Sequence, residues 1–248
     1  MITATTRPVA LLGHPVDHSL SPRMQNAAFA ARALDWAYVA LDVDPDALPG
    51  AVAGLRALGF AGANVTIPHK GAVAGLCDEL DDLSRRSGTV NTLVFRDGGR
   101  IVGANTDGPA VASALDAYGV HVLVLGRGGA ARAVVAALED AGAASVRLAS
   151  RSDPDWPPPA GDATILVNAT PLRDEAPVPP RPHQQVVDLA YRPDGRPTAL
   201  VAAAREAGCA IVVDGLEILV RQGAAAFELW TGVPAPIDVM RAAVARIV

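Results

Sequence analysis

The sequence predicts an α/β protein in two domains, and three observations predict it. Short apolar runs alternate with amphipathic helical patterns nearly throughout the 248 residues. Such alternation points to mostly parallel sheets covered by helices on both faces. A break at Asn105–Pro109 precedes a fresh strand–helix–strand unit beginning at Val120. Half of the residues are hydrophobic and 19% charged, so the chain can bury a core in each domain and is not disordered throughout.

The elements follow in order. Strand patterns cover Pro8–Leu12, Ala37–Val43, Ala61–Val65, Val90–Phe95 and Ile101–Ala104, then Val120–Leu125, Ser145–Ala149, Thr164–Val167, Val186–Leu189 and Ala210–Val213. Helical patterns cover Pro22–Leu34, Asp46–Leu58, His69–Leu76, Pro109–Tyr118, Ala130–Ala141, Pro197–Ala207, Leu216–Trp230 and Ile237–Val248. Ser21 before Pro22 reads as an N-cap followed by an N1 proline, and Gly59, Gly119 and Gly208 stand where helices end. Arg96–Arg100 reads as a hairpin turn. Asp153–Ala160, half proline, predicts no regular structure.

Composition excludes several classes. A net charge of −5 without a basic cluster argues against nucleic acid or an anionic membrane surface. No apolar run is long enough for a membrane span, and the start lacks a signal-peptide pattern. Cys77 and Cys209 form no CxxC, so neither a zinc site nor a disulfide framework is expected. No metal is called for, and the expected setting is the cytoplasm. The 21 basic residues comprise 20 Arg and a single Lys, Lys70. That bias is of coding origin, yet the exception marks a place where a transferable proton matters, or a chance surface lysine.

The second domain carries the first chemical signal. The strand ending at Leu125 runs into Gly126-Arg127-Gly128-Gly129-Ala130-Ala131, and a helix follows. Gly126 permits the tight turn, Gly128 lets backbone approach a diphosphate, and Ala131 lets helix pack on strand. Strand, turn and helix together predict a Rossmann-like dinucleotide-binding domain, with the diphosphate on the helix N-terminus. The next strand ends Ser150-Arg151-Ser152, with no acid at its tip, which favours NADP over NAD. Asp153 leaves NAD open.

Four polar clusters mark strand ends in the first domain: Gly13–Pro22 (GHPVDHSLSP), Asn64–Lys70 (NVTIPHK), Val90-Asn91-Thr92, and Gly103–Asp107 (GANTD). They resemble the G-x-P-x-x-H-S-x-S-P, N-V-T-x-P-x-K, A-V-N-T and G-x-N-T-D motifs of the shikimate dehydrogenase family. The glycine turn, Asn168–Pro171, Asp188–Tyr191 and Gly215–Gln222 extend the resemblance, in order, over nearly the whole chain.

The resemblance implies an N-terminal α/β substrate domain, 1–106 plus 236–248, and an NADP-binding domain, 107–235, with a cleft between them. It implies reversible NADPH-linked reduction of 3-dehydroshikimate to shikimate, a step of aromatic amino acid and chorismate biosynthesis. Lys70 and Asp107 are the implied catalytic pair, with Lys70 the general acid/base. An ammonium supplies charge and a proton to the oxygen that turns negative, which a guanidinium cannot. Ser19 and Ser21 would bind the carboxylate, although Ser21 also suits a purely capping role. Thr66, Asn91, Asp107 and Gln222 would take the ring hydroxyls, and Tyr191 would line the pocket. Gly126, Arg127, Gly128, Gly129, Ala130, Ser150, Arg151, Ser152, Leu189 and Gly215 carry over as cofactor contacts. The implied partners are small molecules, with the chain a monomer or homodimer.

Departures from the family pattern are Gln25 for His, Thr89 for Ala, and Glu217-Ile218 for Gly-Met. Arg151 and Asn168 stand only 17 positions apart, where the family fits a helix and another strand. This trims the adenosine side of the cofactor site and puts the NADP preference in question. Two alternatives remain: a quinate/shikimate or aminoshikimate-type dehydrogenase using NAD, and a ligand-binding homologue without turnover.

Overall fold

A computed structural model describes residues 2–245. The chain falls into two compact units, residues 2–106 with 220–245, and residues 107–219.

The first unit begins with β1 (Arg7–Gly13), α1 (Ser21–Ala31), β2 (Trp36–Asp42), α2 (Leu48–Ala57) and β3 (Gly62–Val65). It continues through β4 (Glu79–Leu80), α3 (Asp82–Ser87), β5 (Thr92–Phe95) and β6 (Ile101–Ala104). Its six strands lie in the order β2-β1-β3-β5-β6-β4. β1 pairs parallel with β2 and β3, but β5 runs antiparallel to both β3 and β6. The sheet is therefore mostly parallel, with β5 alone running the other way. The reason is local: the Arg96–Arg100 turn folds β5 onto β6 as a hairpin, with Phe95 opposite Ile101. β4 and α3 escape a periodicity search because two and six residues are too few to show one. Asp81 nevertheless caps α3, its carboxylate accepting the Ser84 N–H at 2.6 Å.

Leu48, Val52 and Leu55 of α2 pack one face of this sheet, against Leu12, Val65, Leu93 and Ile101.

The second unit contains α4 (Asp107–Ala112), β7 (His121–Leu125), α5 (Gly129–Asp140), β8 (Ser145–Ala149), β9 (Ile165–Asn168), β10 (Gln185–Asp188), α6 (Ala199–Glu206), β11 (Ile211–Val213) and the start of α7 (Gly215–Thr231). Its five strands are all parallel, in the order β11-β10-β9-β7-β8. Alternate side chains divide between two cores, as a strand period of two requires. Val122, Val124, Ile165 and Val167 meet Val134 and Leu138 of α5. Leu123, Leu125, Leu166 and Val186 meet Leu200 and Ala204 of α6 on the other face. From Ser150 to Thr164 the chain holds only turns and bends. Its Ala160 and Ala163, with Trp156 beside them, cover that second face. β8 is an edge strand of this sheet.

Several boundaries differ from the sequence expectation. Leu20, not Ser21, occupies the N-cap of α1, and Ser21 instead gives its backbone N–H to the Ser19 hydroxyl at 3.2 Å. Residues 69–76 form a turn and a short 3-10 segment, Ala72–Leu76, because Gly71 and Gly75 weaken any α-helix there. The helix expected over Pro109–Tyr118 stops at Ala112, where Ala114 and Leu115 bond back three residues and the Ser113 hydroxyl bonds Ala110 O at 3.1 Å.

The chain re-enters the first unit at Val220, within α7, rather than at 236. The later part of α7 is drawn there by packing: Phe227 stacks on Phe29 at 5.4 Å, and Trp230 gives its indole N–H to Leu93 O at 2.9 Å. Gly62 makes room for that indole, since a Cβ there would lie 2.3 Å from Trp230 Nε1. Helix α8 (Ile237–Ala245) packs on α1. Residues 246–248 of the expected helix and domain lie outside the described residues. Among the described residues, no helix is long and apolar enough to cross a membrane.

Candidate active site

In the first unit, the polar clusters are gathered at the carboxyl ends of β1 and β3. β1 ends at Gly13, where a Cβ would lie 2.3 Å from Thr66 Cγ2, so glycine alone lets the 14–20 loop pass the 66–70 turn. His14 N–H bonds Ile67 O at 3.0 Å, and Thr66 N–H bonds Leu12 O at 2.8 Å. The turn closes through His69 N–H to Thr66 O at 2.9 Å. His69 itself is buried, with Nε2 2.7 Å from Val43 O. Lys70 is half-buried at the turn's end, and its carbonyl accepts the Val90 N–H at 2.9 Å. The single lysine is thereby tethered to the segment that leads through Asn91 into β5.

That cluster is a buried hydrogen-bond network. Asn91 is 2% exposed; its amide donates to Thr106 Oγ1 at 2.9 Å, and its Oδ1 accepts the Thr106 N–H at 2.8 Å. One of its two amide N–H groups makes the bond to Thr106 Oγ1. Asn64 accepts from the Tyr38 hydroxyl at 2.8 Å and donates to Asn91 O and Thr92 Oγ1. Asn105 donates to Thr89 Oγ1 at 3.1 Å, and Thr89 also bonds Ser87 Oγ at 3.0 Å. Thr89 thus has a use for the hydroxyl that alanine lacks. Gln25 is buried too, its amide donating to Gly223 O at 2.9 Å, so it ties α1 to α7 one residue from Gln222. The unit therefore brings Ser19, Thr66, Lys70 and Asn91 onto loops that bond to one another, with Ser21 at the start of α1 and Gln222 on α7. Beside them His14 lies 2.6 Å from Asp42, a hydrogen bond that raises the imidazole above its usual range.

Asp107 and Tyr191 belong to the second unit: Asp107 opens α4 and is buried, and Tyr191 is half-buried after β10. The order of strands places the topological switch between β7 and β9, because the chain leaves β7 toward β8 and returns on the other side to β9. Ligands of open parallel sheets bind outside the strand ends at such a point. Gly126 sits there with φ of +120°, and a Cβ on it would lie 2.9 Å from Ala169 O. Gly128 is the N-cap of α5, without a side-chain cap, and a Cβ there would meet open space. The first turn of an α-helix has no internal partner for its N–H groups. Gly128, Gly129 and Ala130 thus form a cradle that fits a dinucleotide diphosphate.

Arg127, Ser150, Arg151 and Ser152 surround the tip of β8. Arg127 pairs with Asp153 at 2.7 Å, Arg151 with Glu175 at 3.3 Å, and the two serine hydroxyls lie 2.8 Å apart. Leu189 and Gly215 meet directly, since a Cβ on Gly215 would fall 2.8 Å from Leu189 O and 2.3 Å from Ala190 O. Glu217, the departure nearby, donates its backbone N–H to Asp214 at 3.1 Å. Beneath this junction is a residue to which the sequence assigned no role, Asp188. It is fully buried and accepts from Asn168 Nδ2 at 2.8 Å, Ala190 N–H at 2.9 Å and the Thr198 hydroxyl. Burial pushes its carboxyl up to about 6 against the pull of those three donors. It joins the ends of β9 and β10 to the start of α6; a buried acid in D-L-A-Y carries no sequence signal beyond the motif itself. Among the described residues, no cluster of His, Cys, Asp or Glu could hold a metal ion.

Comparison with known proteins gives this geometry its family. Residues 11–93 match the model of the shikimate dehydrogenase substrate binding domain, and residues 215–245 match that of the shikimate 5'-dehydrogenase C-terminal domain. A relative from Moorella thermoacetica, named shikimate dehydrogenase (NADP(+)), is 44% identical, with 96% of this chain and 92% of the relative covered. The chain belongs to the shikimate dehydrogenase family. A second family member, from Rubrobacter xylanophilus and of the same name, is also 44% identical, over 98% of this chain and 96% of its own. Among solved structures, the shikimate 5-dehydrogenase of Thermus thermophilus in complex with NADP(H) and shikimate is 36% identical. It superposes with a TM-score of 0.86 over 98% of this chain and 100% of that one.

Proposed function

We propose that this family member is an NADP-dependent shikimate dehydrogenase, an oxidoreductase that reversibly reduces the ring ketone of 3-dehydroshikimate. One observation carries the proposal: near-full-length relatives named shikimate dehydrogenase (NADP(+)) are 44% identical, and the matched stretch 11–93 contains Ser19, Ser21, Thr66, Lys70 and Asn91.

NADPH, when bound, supplies the hydride; the chain positions the substrate and handles the proton. As the ketone oxygen gains charge, the Lys70 ammonium stabilises it and delivers a proton, and takes one back in the reverse direction. Asp107 serves as its partner, holding the ammonium charged and oriented. Ser19 and Ser21 bind the carboxylate. Thr66, Asn91, Asp107 and Gln222 meet ring hydroxyls, with Tyr191 lining the pocket. Such groups are left unpaired by a substrate that lacks a hydroxyl, and so discriminate strongly. The diphosphate takes the Gly126–Ala130 cradle, with Ser150–Ser152 toward the ribose and Leu189 and Gly215 completing the contacts. A monomer or homodimer acting in the cytoplasm, in the route to chorismate and aromatic amino acids, fits this reading; the free Cys77 and Cys209 suit a reducing compartment.

Steady-state assays of shikimate and quinate, each with NADP+ and NAD+, provide the test. Shikimate with NADP+ is expected to give the highest kcat/KM. A higher value for quinate with NAD+, or no turnover with any pair, overturns the proposal.

A further inference from the structure

The tip of β8 carries two charge pairs that the proton and hydride chemistry does not use. Arg127 meets Asp153 at 2.7 Å, and its side chain is 56% exposed against 16% for the carboxylate. Asp153 is fixed from behind, its Oδ2 accepting the Ser150 N–H at 2.9 Å while its own N–H bonds Ser150 O at 2.9 Å. The guanidinium is therefore the member of the pair that solvent, or a ligand, can reach. Arg151, two residues earlier in the same loop, is 59% exposed and reaches Glu175. Leu125 and Ala149 are register partners, and Gly126 N–H bonds Ala149 O at 2.7 Å, so both arginines leave the ends of adjacent parallel strands. This edge lies on the far side of β7 from the switch point, where the adenosine ribose of a dinucleotide falls. A 2′-hydroxyl there calls for a carboxylate, and a 2′-phosphate calls for guanidinium. The loop presents both.

We propose that Arg127 is the second cation of a 2′-phosphate clamp shared with Arg151, and that its counter-ion Asp153 sets how strongly NADP is preferred over NAD. The inference rests on the NADP-linked reading above and deepens it. Both guanidiniums are more than half exposed, where ion pairing is weakened by solvent and salt, so a phosphate dianion competes with the two carboxylates for them. Asp153 opposes the phosphate by charge and remains an acceptor for a 2′-hydroxyl. The trimmed stretch after Arg151 removes chain from this edge, and Arg127 reaches it from the neighbouring strand.

The test is calorimetric binding of 2′,5′-ADP, 5′-AMP, NADP+ and NAD+ to the full chain at low and high salt. Arg127→Ala is expected to weaken 2′,5′-ADP about tenfold, the order of a lost charge-assisted hydrogen bond, and to leave 5′-AMP unchanged. It also flattens the salt dependence, and Arg127→Lys recovers part of the affinity. Asp153→Asn, which keeps an acceptor for Ser150 N–H, is expected to tighten 2′,5′-ADP several-fold. Arg127→Ala binding 2′,5′-ADP like wild type, weakening both nucleotides equally, or Asp153→Asn weakening 2′,5′-ADP, overturns the clamp. Wild type that binds neither dinucleotide overturns the clamp and the NADP-linked function together. Wild type that binds NADP+ but does not turn over shikimate overturns the function alone, while the variants' binding still decides the clamp.

Discussion

The two units hold polar groups in opposite ways. In the first, Asn64, Asn91, Asn105 and Thr106 are buried side chains hydrogen-bonded within the unit, and the loops they join include the one carrying Lys70. In the second, the cradle is backbone at Gly126–Ala130, and its charges, Arg127 and Arg151, are exposed. A buried network fixes positions because any displacement strands a polar atom away from water. Backbone N–H groups at a helix start need only the helix, and exposed arginines need little around them. The difference explains why the second unit keeps a complete core and glycine turn without a helix or strand between β8 and β9.

The largest expected effect tests the tethered lysine. Lys70→Arg keeps the charge and withholds the proton, and should lower kcat by about 10²- to 10⁴-fold, the range of general acid–base catalysis, with far less change in KM. Activity of the arginine variant within tenfold of wild type would remove the proton-transfer role.

Asp188 is the exception that sharpens the contrast, since it is a buried side-chain hub within the backbone-built unit. Its carboxyl is raised from 3.8 to about 6 in the fold. The native protein thus keeps this proton to higher pH than the unfolded chain, so its contribution to stability is full below about pH 4 and is lost as pH rises to about 6. The two values correspond to about 3 kcal/mol. Denaturant unfolding of Asp188→Asn against wild type across that interval should show the wild-type unfolding free energy falling relative to the variant's as pH rises. A constant difference would show that Asp188 titrates alike in both states.

Thr89→Ala is the smallest change. It leaves Asn105 its bond to the Thr89 backbone oxygen at 3.2 Å and removes the hydroxyl, at a cost of about 1 kcal/mol in unfolding free energy. kcat/KM for shikimate should be unchanged. A large loss of turnover would mean that the network does more than hold the loops in place.

The glycine turn, its helix, the strand-end clusters and most elements were legible in the sequence because each depends on neighbours a few positions away. Gly126 needs its φ of +120° at the end of an apolar strand, and the chain signals both locally. The short elements β4 and α3 were too brief for a period, and the helices expected over residues 69–76 and 109–118 were shortened by glycines and by Ser113, whose back-bond sets in only once the chain tightens.

By itself, then, the sequence determined the α/β character, the family, and the residue types a reduction at a polyhydroxylated ring would use. Only the tertiary structure decided that β5 runs antiparallel to β3, that α7 from Val220 onward belongs to the first unit, that Asp188 is buried, and that Arg127 faces Asp153. Each of these joins residues far apart in the chain or depends on what covers them. Their energies come from packing and from exclusion of water, which local periodicity does not encode.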